Sequence, residues 1–293
     1  MSVAIIINPI SGGARLGAAQ ARAQLARDTV DHLRAAADVS VTDGPGHARA
    51  LADAAVKRGA RLIIAWGGDG TINEIASAVA FTGTSLGIIP AGSGNGLARE
   101  LGVDRRPAHA IAAALAAAPR AIDLGEIEGR LFVNIAGIGV DAHVAALFNM
   151  PANRRRGFRT YVSVTFGVLA RYVPVSYRIT TGDRRIETRA VLVTLANSAQ
   201  FGNGARIAPG ALVDDGLLDL VVVEERSRFR TLCQVPRLFN GTVARMPGYT
   251  VRPIRDVTIE ADQPMTFHAD GEPVDAGTTL RARVHPGALR VSI

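Results

Sequence analysis

Gly67-Gly68-Asp69-Gly70-Thr71 stands between the apolar run Leu62 to Ala65 and a helix pattern over Thr71 to Ala80. A short apolar strand that ends in glycines and turns straight into a helix is the repeating unit of a parallel sheet covered by helices. The same unit recurs on both sides. Apolar runs Val3 to Ile7, Val39 to Val41 and Leu86 to Ile89 alternate with helix patterns over Ala14 to Ala36, Gly46 to Arg58, Gly94 to Leu101 and Ala108 to Ala118. This order predicts an open α/β domain over residues 1–123, whose ligands bind at the carboxyl ends of its strands.

Beyond Asp123 the texture changes to β-branched alternation with frequent turns. Runs Leu131 to Ile135, Val175 to Thr180, Ala190 to Ala196, Leu217 to Val223, Asp256 to Ala261 and Leu280 to His285 predict an antiparallel β-sandwich over residues 124–293. Helices are expected over Val140 to Phe148, Phe158 to Tyr172 and Arg228 to Asn240. The chain of 293 residues thus reads as two domains, α/β then all-β, with the active site expected in the cleft between them.

Composition narrows the function. Apolar residues make up 48% and charged residues 20%, the balance of a globular protein. No run reaches the length of a spanning helix, and the first residues read as a buried strand rather than a signal peptide. A lone cysteine, Cys233, in an apolar setting reads as buried and suits a reducing cytosol. The net charge of +7 favours anionic partners. It is carried almost wholly by arginine, because Lys57 is the only lysine. Lys57 lies outside any Walker A loop or protein-kinase strand, so both of those ATP-binding schemes are excluded.

Three loops at strand ends look built for phosphate: Asn8-Pro9-Ile10-Ser11-Gly12-Gly13, Gly67 to Thr71, and Pro90-Ala91-Gly92-Ser93-Gly94-Asn95-Gly96. Each alone is what any α/β turn uses. Three in succession, each leading into a helix N-terminus, are hard to explain as turns alone. Asp69 would set a carboxylate beside those phosphates, a repulsion that Mg²⁺ resolves; the alternative is an aspartate capping its helix.

With those residues in view, the chain resembles the diacylglycerol kinase catalytic-domain family, which includes bacterial lipid kinases and the sphingosine and ceramide kinases. Gly137-Ile138-Gly139-Val140-Asp141-Ala142, Asn197-Ser198, Phe201-Gly202-Asn203-Gly204, Ile207-Ala208-Pro209, Asp214-Asp215-Gly216-Leu217-Leu218-Asp219 and Asp270-Gly271-Glu272 extend the resemblance along nearly the whole chain in family order. It implies an ATP- and Mg²⁺-dependent kinase acting on a hydroxyl of a lipid, such as a diacylglycerol, a sphingoid base or a related long-chain alcohol, in phospholipid metabolism. ATP contacts are implied for Asn8, Pro9, Ser11, Gly12, Thr42, Gly67, Gly68, Asp69, Gly70, Thr71, Ser93, Gly94 and Asn95. A structural Mg²⁺ is implied on Asp215 with the main-chain carbonyls of Leu212 and Leu217; a plain Asp-Gly hairpin residue is the other reading of Asp215. Glu272 matches the family's proton acceptor, with Asp69 the competing base and an exposed hairpin glutamate the bland reading. His268 has no nucleophile or metal partner at a recognisable spacing and reads as lying behind the site or on the surface.

Two features bear on the substrate. Gly96 stands where many bacterial lipid kinases have an aspartate. The segment Asn149 to Arg185 carries Arg154, Arg155, Arg156, Arg159, Arg171, Arg178, Arg184 and Arg185 against one acid, Asp183, with aromatic residues among them. Such a helix can rest on an anionic bilayer, and the bland alternative is a solvated face over the β-domain core. The expectation is a cytoplasmic, peripherally membrane-associated enzyme with a lipid substrate and no nucleic-acid partner. The oligomeric state is open, a homodimer included. The competing functions are an NAD kinase, which shares a Gly-Gly-Asp-Gly-Thr loop, and a non-catalytic lipid- or nucleotide-binding regulator.

Overall fold

Five successive apolar side chains at Val3–Ile7 leave the first strand, β1, no polar face, so helices must cover it on both sides. All five are buried in the computed structural model, which describes residues 2–13, 17–149, 158–202 and 204–293. These residues cluster into two units, Met1–Ile122 with Gly287–Ile293, and Asp123–Pro286. The last seven residues therefore group with the first unit, although the sequence assigned them to the second domain.

In the first unit, β1 (Val3–Ile7), α1 (Ala18–His32), β2 (Ala37–Val41), α2 (His47–Lys57), β3 (Leu62–Gly67), α3 (Asp69–Val79), β4 (Ser85–Pro90), α4 (Gly96–Glu100) and α5 (Pro107–Ala116) alternate as expected. The sheet is parallel in the order β4-β3-β1-β2. Arg290 and Val291 from the chain end add a parallel strand beside Ser85 and Leu86 of β4. Ala23, Ala26 and Val30 of α1 and Ala110, Ile111 and Ala114 of α5 close one core against Val3, Ile5, Leu62 and Ile64. The small alanines let these helices lie close to the sheet. In register, Ile7 pairs with both Val41 and Trp66, and Gly67 pairs with Pro90, so the loops leaving β1, β2, β3 and β4 start at one edge.

The second unit is antiparallel, with helices inserted between its strands. It contains β5 (Arg120–Ile127), which begins in the first unit, β6 (Arg130–Phe132), β7 (Ile135–Gly139), α6 (Val140–Asn149), α7 (Phe158–Arg171), β8 (Val175–Thr181), β9 (Arg184–Ala196), β10 (Leu218–Glu224) and α8 (Arg228–Gln234). It continues with β11 (Tyr249–Ile254), β12 (Asp256–Ala261), β13 (Thr266–Ala269), β14 (Glu272–Asp275) and β15 (Thr279–Val291), whose first residues pair with β12. The long β9 is shared: residues 184–190 pair with β8, and residues 192–196 lie between β7 and β10. Its inward side chains Val193 and Leu195 join Phe132, Phe267, Ile259 and Leu280 in the sandwich core.

Two expectations are corrected. The run Leu131 to Ile135 is not one strand but breaks at Val133-Asn134, whose N–H groups go to the Asp270 carboxylate instead of a ladder. Cys233 is exposed, not buried. It lies on α8, where each residue turns the side chain by about 100°, so an apolar run cannot face inward throughout.

Candidate active site

The three glycine-rich loops of the first unit are tied together. Asn8 at the end of β1 donates from Nδ2 to Thr71 Oγ1 in the first turn of α3 at 2.8 Å. Ser11 Oγ accepts the Gly68 N–H at 3.2 Å. Arg22 of α1 reaches back to the first loop, donating to the carbonyls of Asn8 and Ser11, both at 2.8 Å. Gly12 adopts φ +76°, and a Cβ there would lie 2.4 Å from Ala91 O of the third loop, so only glycine lets these two loops touch. In the third loop Asn95 folds over Gly92, exchanging two bonds of 2.8 Å with its N–H and carbonyl.

Asp69 belongs to helix α3, which starts two residues earlier than expected. Its carboxylate accepts the N–H groups of Asn95 at 2.9 Å and Gly96 at 2.6 Å, and so caps α4, pinning the third loop to the second. Gly96, which has no side chain to offer here, thus contributes a backbone donor. Glu74 does the same for α2, accepting the N–H groups of Gly46 and Arg49. The N-cap residue of α3, Gly68, makes no side-chain cap bond, and the first-turn N–H groups of an α-helix have no partner within the helix itself. Ser93 is exposed on the third loop, and Thr42 is buried at the end of β2, its N–H held by Ile7 O at 2.9 Å.

In the second unit, Asp270 and Gly271 form the two-residue turn between β13 and β14, at φ +48° and +86°. Positive φ at both positions is the backbone of a type I′ hairpin. Asp270 is committed to three backbone donors, Val133, Asn134 and Ile135, at 2.7, 2.9 and 3.1 Å. Glu272, the next residue but one, opens β14 and is exposed. His268 is buried rather than at the surface, with Nε2 3.3 Å from Asp141 Oδ2, and its Nδ1 accepts the Gly271 N–H at 3.1 Å. Sequence reasoning missed this pair because its members lie on separate elements; the one signal was the glycine interrupting strand β7 at Gly137.

Asp215 and Gly216 also form a turn, in which Asp215 Oδ1 accepts the Leu217 N–H at 3.0 Å and Asp123 accepts the Gly216 N–H at 2.7 Å. Burial, and then the charge of Asp215, push the Asp219 carboxyl up. Among the described residues no three His, Cys, Asp or Glu side chains gather as a metal site, so a cation at Asp215 has to draw on main-chain carbonyls.

The basic segment is less basic than its composition suggested. Arg154, Arg155 and Arg156 lie outside the described residues. Arg178 pairs with Glu260 and Asp262 at 3.8 and 3.6 Å, and Arg185 with Glu187 at 3.1 Å, acids from beyond the segment itself. Phe166, Arg171 and Val173 are nevertheless exposed. No helix among the described residues is long and apolar enough to cross a membrane.

An α/β unit with tied phosphate-type loops followed by an antiparallel β-sandwich defines a protein of the diacylglycerol kinase-like fold. A diacylglycerol kinase from Bacillus anthracis str. Sterne has this fold with a TM-score of 0.75 at 20% identity, over 99% of this chain and 96% of its own. Residues 2–127 match the diacylglycerol kinase catalytic domain, and residues 134–293 the YegS C-terminal NAD kinase beta sandwich-like domain. Two proteins described as "Probable lipid kinase YegS-like" align with 87% of this chain and 83% of their own length. That of Pseudomonas savastanoi pv. phaseolicola is 33% identical and that of Pseudomonas syringae pv. syringae 32%. The chain belongs to this YegS-like family with a diacylglycerol kinase catalytic domain.

Proposed function

We infer that the chain is a lipid kinase, a phosphotransferase acting on a lipid alcohol, and propose that it takes the phosphoryl group from ATP with Mg²⁺. The observation that carries the ATP reading is the N-terminus of α3, a helix end that attracts anions, inside three mutually tied loops. Asn8, Pro9, Ser11, Gly12, Gly67, Gly68, Gly70, Thr71, Ser93, Gly94 and Asn95 form the phosphate cradle, and Thr42 flanks it for the rest of the nucleotide. Because the loops are fixed beforehand, their N–H groups need no reorganisation to meet charge on the transferring phosphoryl group.

Glu272 is the proton acceptor in this proposal. It is an exposed residue beside a turn fixed by other residues, and its backbone pairs with Ala269. Asp69 is the competing base, although both of its oxygens already hold an N–H. The lipid hydroxyl gives its proton to the base as its oxygen attacks the γ-phosphorus, and ADP leaves. Mg²⁺, held by Asp69 with the nucleotide phosphates, would neutralise charge there. A second, structural Mg²⁺ would be held by Asp215 with the carbonyls of Leu212 and Leu217. The acceptor class is a diacylglycerol, sphingoid base or related long-chain alcohol, reached by peripheral contact of Phe166, Val173 and Arg171 with an anionic membrane.

The test is transfer of labelled phosphate from ATP with Mg²⁺ to a mixed lipid extract, with the product identified by mass. Label in a lipid, lost in Glu272→Gln and Asp69→Asn, is the expected result. Label in NADP would replace the reading by an NAD kinase. Binding of ATP without transfer to any acceptor would replace it by a regulatory binding protein.

A further inference from the structure

Strands β13, β7 and β9 are neighbours, and their register sets His268, Gly137 and Thr194 side by side. Gly137 makes a notch in the middle. A Cβ on it would lie 1.7 Å from Asp141 Oδ2, so the carboxylate of Asp141, in the first turn of α6, occupies the space a side chain would need. From that notch Asp141 Oδ2 accepts the Thr194 hydroxyl at 3.0 Å and faces His268 Nε2 at 3.3 Å, while Oδ1 accepts the Ala142 N–H at 2.9 Å. The pair is almost fully buried, with side-chain exposures of 7% and 4%.

The bonding settles the tautomer. The Gly271 N–H needs an unprotonated Nδ1 to receive it, so the ring hydrogen is on Nε2, directed at Asp141. Nothing about holding the hairpin closed requires this. Asp270 already anchors the turn through three N–H groups, and a buried acid and histidine stabilise a core less than apolar side chains of the same volume. What His268 adds is a bond to the residue immediately before Glu272.

We propose that His268, held by Asp141, is a positioning residue for phosphoryl transfer: through the Gly271 N–H it fixes the direction in which Glu272 leaves the turn. This rests on the reading of Glu272 as proton acceptor. A base displaced by about 1 Å can lose on the order of a hundredfold in rate, so the bond acts on turnover rather than on nucleotide binding.

The two ring contacts can be separated by substitution. His268→Asn keeps an acceptor near the Nδ1 position for Gly271 and loses reach to Asp141. His268→Gln keeps a donor toward Asp141 and loses the acceptor. With the full chain at saturating ATP, His268→Asn is expected to hold kcat within about threefold and His268→Gln to lose about tenfold or more. The KM for ATP stays unchanged in both, and the losses in thermal midpoint that follow from disturbing a buried pair do not follow the ranking of kcat. Equal kcat for both variants and the wild type overturns the proposal. So does the reverse ranking, or a parallel loss that tracks a fall in thermal midpoint. Should either variant fail to fold, amide exchange at Gly271 in the wild type decides: slow exchange that becomes fast in Asp141→Asn supports the role, and fast exchange in the wild type sinks it. Glu272→Gln is assayed alongside. Full activity there sinks the proton-acceptor reading itself, whereas an inactive Glu272→Gln beside a fully active His268→Gln sinks the positioning role alone.

Discussion

Asp69-Gly70 and Asp270-Gly271 are the same dipeptide placed in two different kinds of structure, and each carboxylate spends itself on backbone donors of a loop far along the chain. Asp69 holds Asn95 and Gly96, and Asp270 holds Val133, Asn134 and Ile135. They differ in what surrounds them. Asp69 stands on the first turn of a helix whose N-cap residue makes no side-chain cap bond, among loops brought together by glycine. Asp270 sits in a hairpin turn, is consumed by its three donors, and leaves the exposed Glu272 beside it. An Asp-Gly pair is thus a scaffold in both units, and the neighbouring groups decide where chemistry can occur.

That contrast can be broken by substitution. Glu272→Gln carries the largest expected effect, a fall in kcat of about a thousandfold with the thermal midpoint unchanged, since it removes a proton acceptor without touching a fold bond. Asp69→Asn should lower both kcat and thermal midpoint, because an amide keeps only one acceptor for the α4 donors. If it lowers stability alone, Asp69 is as purely structural as Asp270. Asp270→Asn sets an amide N–H against backbone donors and is expected to cost about 3 kcal/mol, seen as a reduced denaturation midpoint, with the KM for ATP unchanged. Gly12→Ala forces strain at positive φ into the first loop, and a rise of roughly tenfold in the KM for ATP, with little change in kcat, is the expected reading.

The smallest effect concerns pH and lies away from both aspartates. Burial alone would push the Glu126 carboxyl up, but bonds from His285 and Arg283 outweigh it and hold the group below the usual range. A carboxylate depressed in the folded state contributes stability that is fully present above its unfolded value and lost as pH falls through the folded one. Below about pH 4 the wild type should therefore lose thermal midpoint faster than Glu126→Gln.

The α/β unit was legible because its signals are local: unbroken apolar runs for β1, β3 and β4, and glycines where a loop passes into a helix. The Asp-Gly turn next to Glu272 was legible for the same reason. What escaped the sequence depends on side chains acting across distance. The break at Val133-Asn134 comes from an aspartate more than a hundred positions later. The burial of His268 depends on a notch at Gly137 and an acid on the following helix, none of which has a fixed spacing to it. The arginines of the basic segment have a single acid within their own stretch of sequence, whereas Arg178 meets Glu260 and Asp262 through strand pairing.

The return of the chain end to β4 has a consequence for synthesis. Ser292 N–H bonds Leu86 O and Phe81 N–H bonds Ala288 O, so the border of the first sheet is completed by residues 287–293. During translation β1 to β4 emerge early, while the strand that covers β4 is made roughly two hundred residues later. Until then the apolar β4 presents an open edge of the kind that recruits other chains. A fragment cut at Ile122 would keep that edge permanently and would be expected to aggregate, whereas the same fragment with residues 287–293 joined to it would stay dispersed.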